Sequence, residues 1–264
     1  MQGREVLIYL ALLYNGDWEK MITAIKEKKA FTQEEMEERL SKWKGEAITI
    51  VDSDYPDSLR HCYKPPLVLF LLGDKTLIQE EKKCVSIIGS REASAYGSKM
   101  TAEFASGLAK EGYVIVNGMA AGIDGIALKA ARDGGGRGVG VLGSGIDYCF
   151  PSRNRDIYEW LKRCGLIISE YPGLTPPKPE HFPFRNRIVA ALSASLIVGE
   201  AHSRSGTLIT VGYAAGYTKE IGCPPFEAGK DSQCNQLIKD GACLLENMGD
   251  VNQLVGYENS QDKK

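Results

Sequence analysis

From residue 84 onward the chain alternates short apolar runs with amphipathic stretches, and no other feature limits the possible folds as strongly. Residues 85–88, 113–116, 138–142, 166–169 and 196–198 read as strands. Helices are predicted over 97–110 and 123–132, and near 154–163, 186–192 and 207–215. Strands separated by helices run parallel, because each helix carries the chain back to the start of the next strand. The predicted fold class is therefore α/β, a doubly wound, mostly parallel sheet. Ligands of such sheets sit at the carboxyl ends of the strands, which is where the glycine-bearing turns of this chain fall.

The front of the chain has a different pattern. Residues 1–45 read as a small helical module: 6–13 is largely apolar, and Thr32 with Glu35 has capping-box spacing. Met36, Leu40 and Trp43 then form one apolar stripe, which Gly45 ends. Residues 47–51 and 67–72 read as strands, separated by Asp54-Tyr55-Pro56 and Pro65-Pro66, which force extended or turning backbone. Residues 46–83 are thus expected to be linking strands and a junction, with the α/β domain over 84–255 and a frayed polar tail over 256–264.

Charge and composition narrow the function classes. The 264 residues are 43% hydrophobic and 25% charged, which excludes global disorder. Lys plus Arg total 32 against 34 acids, so the chain does not coat nucleic acid by bulk charge. Nine of the twelve arginines, however, lie between Arg91 and Arg204, and residues 84–213 carry 14 basic against 11 acidic side chains. An anionic partner is expected there. The longest apolar run, 67–72, is too short to span a bilayer, and no signal peptide is read. Seven dispersed cysteines without a CxxC pair read as reduced thiols of a cytoplasmic protein, and three histidines without clustering argue against a metalloenzyme.

Three turns carry candidate chemistry. Gly89-Ser90-Arg91 joins a buried strand to a helix, where free N–H groups, a hydroxyl and a guanidinium make an anion site. Asn117-Gly118-Met119-Ala120-Ala121-Gly122-Ile123-Asp124 repeats the theme; Asp124 suits this site and a helix cap equally. Ser205-Gly206-Thr207 opens another helix and suits both a phosphate and an N-cap. Gly138-Val139-Gly140-Val141-Leu142-Gly143 spells GxGxxG, but inside a strand, so it is not a dinucleotide fingerprint. No GxxxxGK[ST] occurs, which excludes a P-loop ATPase. The densest signal is Phe182-Pro183-Phe184-Arg185-Asn186-Arg187, with Lys178 upstream. Arginines hold phosphates and aromatic faces stack on unpaired bases. Arg185 and Arg187, two apart on a helix start, diverge, so that one meets DNA while the other ties down the fold.

These motifs occur in order with Val141-Leu142-Gly143-Ser144-Gly145-Ile146-Asp147, Phe150-Pro151-Ser152-Arg153-Asn154, Ser169-Glu170-Tyr171-Pro172 and Glu200-Ala201. Over about residues 45–245 the chain resembles the DNA-processing protein A (DprA, also Smf) family. The resemblance implies an extended Rossmann-like domain without dinucleotide chemistry or cofactor. It also implies binding and protection of single-stranded DNA, homodimerisation, and loading of RecA recombinase onto incoming DNA in natural transformation. The N-terminal helices resemble the family's sterile-alpha-motif-like module. The candidate DNA- and phosphate-binding residues are Gly89, Ser90, Arg91, Gly118, Gly122, Asp124, Lys178, Phe182, Arg185, Asn186, Arg187, Ser205, Gly206 and Thr207, with Arg91, Lys178 and Arg185 expected to neutralise phosphates together; no catalytic or metal-binding residue is expected.

The chain departs from the family pattern in places. Leu128 stands where the family usually has His, removing a polar group from the expected pocket mouth. Residues 221–226 make a poor strand, predicting an irregular sheet edge, although Asn235-Gln236-Leu237-Ile238 and Gly241-Ala242 resume the pattern. The winged-helix domain of many members is expected to be missing. The alternative reading is a nucleotide-binding or nucleoside monophosphate-hydrolysing enzyme. Against it, no PGGxGT-like motif occurs, and Glu170 and Glu200 are the only plausible catalytic carboxylates, Glu200 reading as structural.

Overall fold

Each predicted strand and helix after residue 84 forms in the computed structural model, which describes residues 3–261 apart from 204 and 231. The chain runs α1 (Gly3–Leu13), α2 (Trp18–Lys26), α3 (Gln33–Lys42), β1 (Glu46–Thr49), α4 (Asp57–Arg60) and β2 (Val68–Gly73). It continues as β3 (Cys84–Gly89), α5 (Ala95–Lys110), β4 (Val114–Asn117), α6 (Ile123–Asp133), β5 (Arg137–Gly145), α7 (Arg155–Cys164) and β6 (Leu166–Tyr171). The last part is α8 (His181–Ala191), β7 (Ser195–Glu200), α9 (Gly206–Gly216), β8 (Glu220–Cys223), α10 (Cys234–Lys239), β9 (Cys243–Leu244) and α11 (Met248–Gln261). Among the described residues one nine-stranded sheet forms, in the order β1-β2-β6-β5-β4-β3-β7-β8-β9. The pairs from β6 through to β9 are parallel, and β1–β2 and β2–β6 are antiparallel.

Strand alternation splits the core into two layers. Val85, Ile87 and Ile115 face one side, where Phe104 of α5, Leu128 of α6, Leu161 of α7 and Leu254 of α11 cover them. Ile88, Val114, Val116 and Val141 face the other, beneath Leu59 of α4, Ile188 of α8 and Val211 of α9. Leu7, Ile8 and Leu10 of α1 and Met36 of α3 enter the first layer, so the N-terminal helices share a core with the sheet. Each such aliphatic side chain contributes roughly 1.5–3 kcal/mol by leaving water. The capping box forms: Glu35 N–H donates to Thr32 Oγ1 at 3.2 Å, and Thr32 N–H donates to Glu35 at 2.9 Å.

Several expectations need correction. Residues 46–83 do more than link: β2 pairs antiparallel with β6, Phe70 opposite Ser169, and extends the same sheet. α3 ends at Lys42, ahead of Gly45. Residues 220–223 are a true strand with β7 on one side and β9 on the other. A Cβ on Gly222 would lie 2.8–3.1 Å from the Leu245 and Leu254 side chains, so the glycine that weakens the strand signal is what lets those leucines close over it. α8 begins five residues earlier than predicted, because Pro183 falls in its first turn, where a missing N–H costs nothing. Helix α11 runs to Gln261, so the expected tail is helical over most of its length; 262–264 lie outside the described residues. Leu128 is fully buried at the Gly138 face of β5 and has no place at a pocket mouth. Among the described residues no helix is long and apolar enough to cross a membrane.

Candidate functional site

Strands β4, β5 and β6 lie to one side of β3, and β7, β8 and β9 to the other. The turns that follow β3 and β7 therefore lead away from each other and leave a crevice beyond the strand ends. A cleft of about 630 Å³ lies there, walled by the 88–92 and 118–120 turns, the first turns of α8 and the start of α9. Of the candidate residues, Gly89, Ser90, Arg91, Gly118, Asp124, Phe182, Arg185, Asn186, Ser205, Gly206 and Thr207 all line it. A larger cavity of about 740 Å³, between α1, α3 and residues 172–176, is ringed by Glu35, Glu38, Arg39 and Lys42 and receives none of the glycine turns.

The floor of the cleft is built around Asp124, which is 5% exposed. Its Oδ2 accepts the Gly118 N–H at 3.0 Å and the Ala120 N–H at 3.3 Å, and the Gly89 N–H also bonds to the carboxylate. Burial pushes the carboxyl above its ordinary range, while Arg185 and these amides pull it back. The turn amides expected to be free for a phosphate thus already hold an anion, the protein's own. Asp124 does not cap α6, whose N-cap is Gly122; its carboxylate sets the two turns together. Gly122 stands behind them rather than in the cleft. Its φ of +72° favours glycine, and a Cβ there would fall 2.2 Å from the Ser90 carbonyl oxygen, which accepts the Ile123 N–H at 3.0 Å. The Ser90 hydroxyl is turned into its own loop, donating to the Glu92 carbonyl at 2.9 Å.

Arg185, expected to neutralise a phosphate, lines the cleft but is only 5% exposed. The first turn of α8 lies over the end of β5, so position 185 faces the sheet. Its Nη1 donates to the Val141 carbonyl and its Nε to Asn186 Oδ1 at 3.1 Å. A Cβ on Gly118 would lie within 2.4 Å of the guanidinium, which therefore rests on a glycine. Burial lowers its pKa to about 10, despite the opposing pull of Asp124. Arg187 takes no part in the cleft. It is fully buried on the other side of α8, where Nη1 and Nη2 each meet a Glu170 oxygen at 2.7 Å and Nε donates to the Tyr63 and Lys64 carbonyls. Lys178 is exposed just ahead of α8 and stops short of the cleft wall, which begins at Pro179.

Among the described residues, the exposed arginine of the cleft is Arg91, on its turn, with its guanidinium 5.7 Å from the Phe182 ring centre. The N-terminus of α9 also lines the cleft, where the helix dipole favours an anion. Ser205 occupies the N-cap without a side-chain cap bond, and its buried hydroxyl has no hydrogen-bond partner among the described residues. Asn186 Nδ2 reaches the Gly206 carbonyl at 3.4 Å and ties α8 to this end. His202, also in the wall and 3.3 Å from Glu200, was missed; a lone histidine with no local pattern gave no signal. Both candidate catalytic carboxylates are engaged: Glu170 by Arg187, and Glu200 by the Ser94 N–H at 2.9 Å and hydroxyl at 2.8 Å.

A family model described as DNA recombination-mediator protein A matches residues 46–256. The Smf protein of Synechocystis sp. is 38% identical over 202 residues, a match covering 75% of this chain and 51% of that protein. The chain thus spans about half the length of this curated relative. The solved structure of DNA processing protein A from Streptococcus pneumoniae aligns with a TM-score of 0.78 and 30% identity, over 93% of this chain and 94% of that one. DNA processing protein A from Helicobacter pylori, whose structure is described for its single-stranded DNA binding mode, aligns with a TM-score of 0.71 and 28% identity, over 84% and 98%. The matched span takes in the whole sheet and every residue of the cleft, and the chain belongs to the DNA recombination-mediator protein A (DprA/Smf) family.

Proposed function

We propose that the chain binds single-stranded DNA in this cleft, protects it and loads RecA recombinase onto it in natural transformation, as a cytoplasmic homodimer and without a catalytic step. One observation carries the DNA reading: the Arg91 guanidinium lies over the ring of the half-buried Phe182, in the cleft that the α9 N-terminus also lines. A cation paired with an aromatic ring suits the two halves of a nucleotide, a phosphate and an unstacked base. Membership of the family supports the hand-off to RecA and the dimer. The engaged state of Glu170 and Glu200 weighs against a nucleotide hydrolase, which would release free base from nucleoside monophosphates.

The test is a titration with oligothymidine beside a blunt duplex of equal length. Tighter binding of the single strand is expected, because stacking needs open bases. Arg91→Ala is expected to weaken binding and to flatten the slope of log affinity against log salt by about 0.7, one phosphate contact. Equal affinity for the duplex, or a full slope in the variant, removes the reading.

A further inference from the structure

Beside the cleft, the loop after β5 carries a second basic and aromatic surface. The Phe150 ring lies 5.5 Å from that of Phe182, tilted by 37°, so Arg91, Phe182 and Phe150 form one row leading out of the cleft. Phe150 is 40% exposed and its neighbour Tyr148 37%. Isolated exposed aromatics need no explanation, but these two continue a row that begins at a cation. Arg153 and Arg155 follow, both exposed. They sit at the N-terminal end of α7, where the helix dipole disfavours positive charge. Neither side chain makes an ion pair or hydrogen bond among the described residues, and the nearby Asp156 is turned to Arg132 at 3.1 Å and Lys129 at 3.7 Å. Helix stability therefore does not account for the two arginines. The loop is also held firmly against the cleft wall: Asn154 Nδ2 donates to the Met119 and Ala120 carbonyls at 3.0 and 2.8 Å, and the Ser144 hydroxyl to the Tyr148 carbonyl at 2.8 Å.

We propose that residues 148–155 form a second subsite for a single strand leaving the cleft, with Phe150 stacking a base and Arg153 and Arg155 holding the flanking phosphates. This rests on the single-stranded DNA reading above. The experiment compares oligothymidines of about 5 and about 15 nucleotides, within the range of sizes such grooves take up. Phe150→Ala is expected to weaken binding of the long strand about 5-fold or more, while Phe150→Tyr keeps it. The double variant Arg153→Ala, Arg155→Ala is expected to flatten the long strand's salt slope by about 1.4, two contacts' worth. Both effects belong to the long strand alone. Unchanged long-strand affinity and slope, with Arg91→Ala still weakening both lengths, overturns the subsite and leaves the cleft standing. Equal losses on both lengths also overturn it, since Phe150 would then belong to the cleft itself. No loss in any variant, Arg91→Ala included, removes the cleft reading as well.

Discussion

Arg185 and Arg187 stand two residues apart on α8, both buried, and face different regions that treat their charge differently. Around Arg187, burial disfavours the cation, but the bidentate Glu170 more than offsets it and raises its pKa above the usual value. Around Arg185, burial wins despite Asp124, and both members of that pair are pushed toward neutrality. The Arg187 region is electrostatically finished: carboxylate and backbone carbonyls meet its donors. The Arg185 region lines an open cleft, and burial there outweighs the attraction between Arg185 and Asp124. One arginine closes a buried ion pair, and the other lies in the wall of the cleft.

The largest effect expected from breaking this contrast comes on the finished side. Arg187→Ala leaves Glu170 charged, buried and alone, at a cost of about 3–5 kcal/mol, or a fall in melting temperature of roughly 6–20 °C. A melt like the wild type's would mean that the pair does not hold α8 to β6. On the other side, Gly118→Ala places a methyl group against the Arg185 guanidinium. Overpacking of this kind costs about 1–3 kcal/mol, and the displaced cation is expected to take oligothymidine affinity down with it. A variant destabilised in a denaturant melt yet binding at full affinity would separate Arg185 from the ligand.

The smallest effect is one of pH, at the first residue of the shared helix. His181 stacks on Tyr171 at 3.9 Å and its Nδ1 lies 3.1 Å from the Gly143 carbonyl. Burial holds its pKa below the ordinary 6.5. Below 6.5 the unfolded chain takes up a proton that the folded chain refuses, so this contribution is full above 6.5 and drains away as pH falls through the lower folded value. Wild type is therefore expected to lose more stability than His181→Gln between about pH 7.5 and 5.5, as read from paired thermal melts. Equal losses would place the titration elsewhere.

Local pattern carried the strand and helix alternation, because periodicity and turn chemistry act over a few residues. The divergence of Arg185 and Arg187 was legible for the same reason, from their spacing alone. What escaped depends on partners far away in the chain. Nothing near Phe70 announces that it lies opposite Ser169, nor does Gly222 reveal the leucines that close over it. Asp124 read as a cap or a ligand because its real partners, the amides of Gly89, Gly118 and Ala120, come from two different turns. The burial of Arg185 followed from α8 lying across the end of β5, a packing choice with no signature of its own.

The antiparallel seat of β2 against β6 has a consequence for synthesis. Gly73 finds its partner in Leu166, so the ribosome must deliver about ninety further residues before the strand can dock. At 5–20 residues per second the wait is roughly 5–20 s. During it the apolar run Val68-Leu69-Phe70-Leu71-Leu72 has only β1 to pair with, and its other edge is open. An unpaired hydrophobic edge recruits strands from other chains, so the nascent protein is most vulnerable to misassembly in its first third, and a holdase acting there would matter more than one acting on the finished sheet.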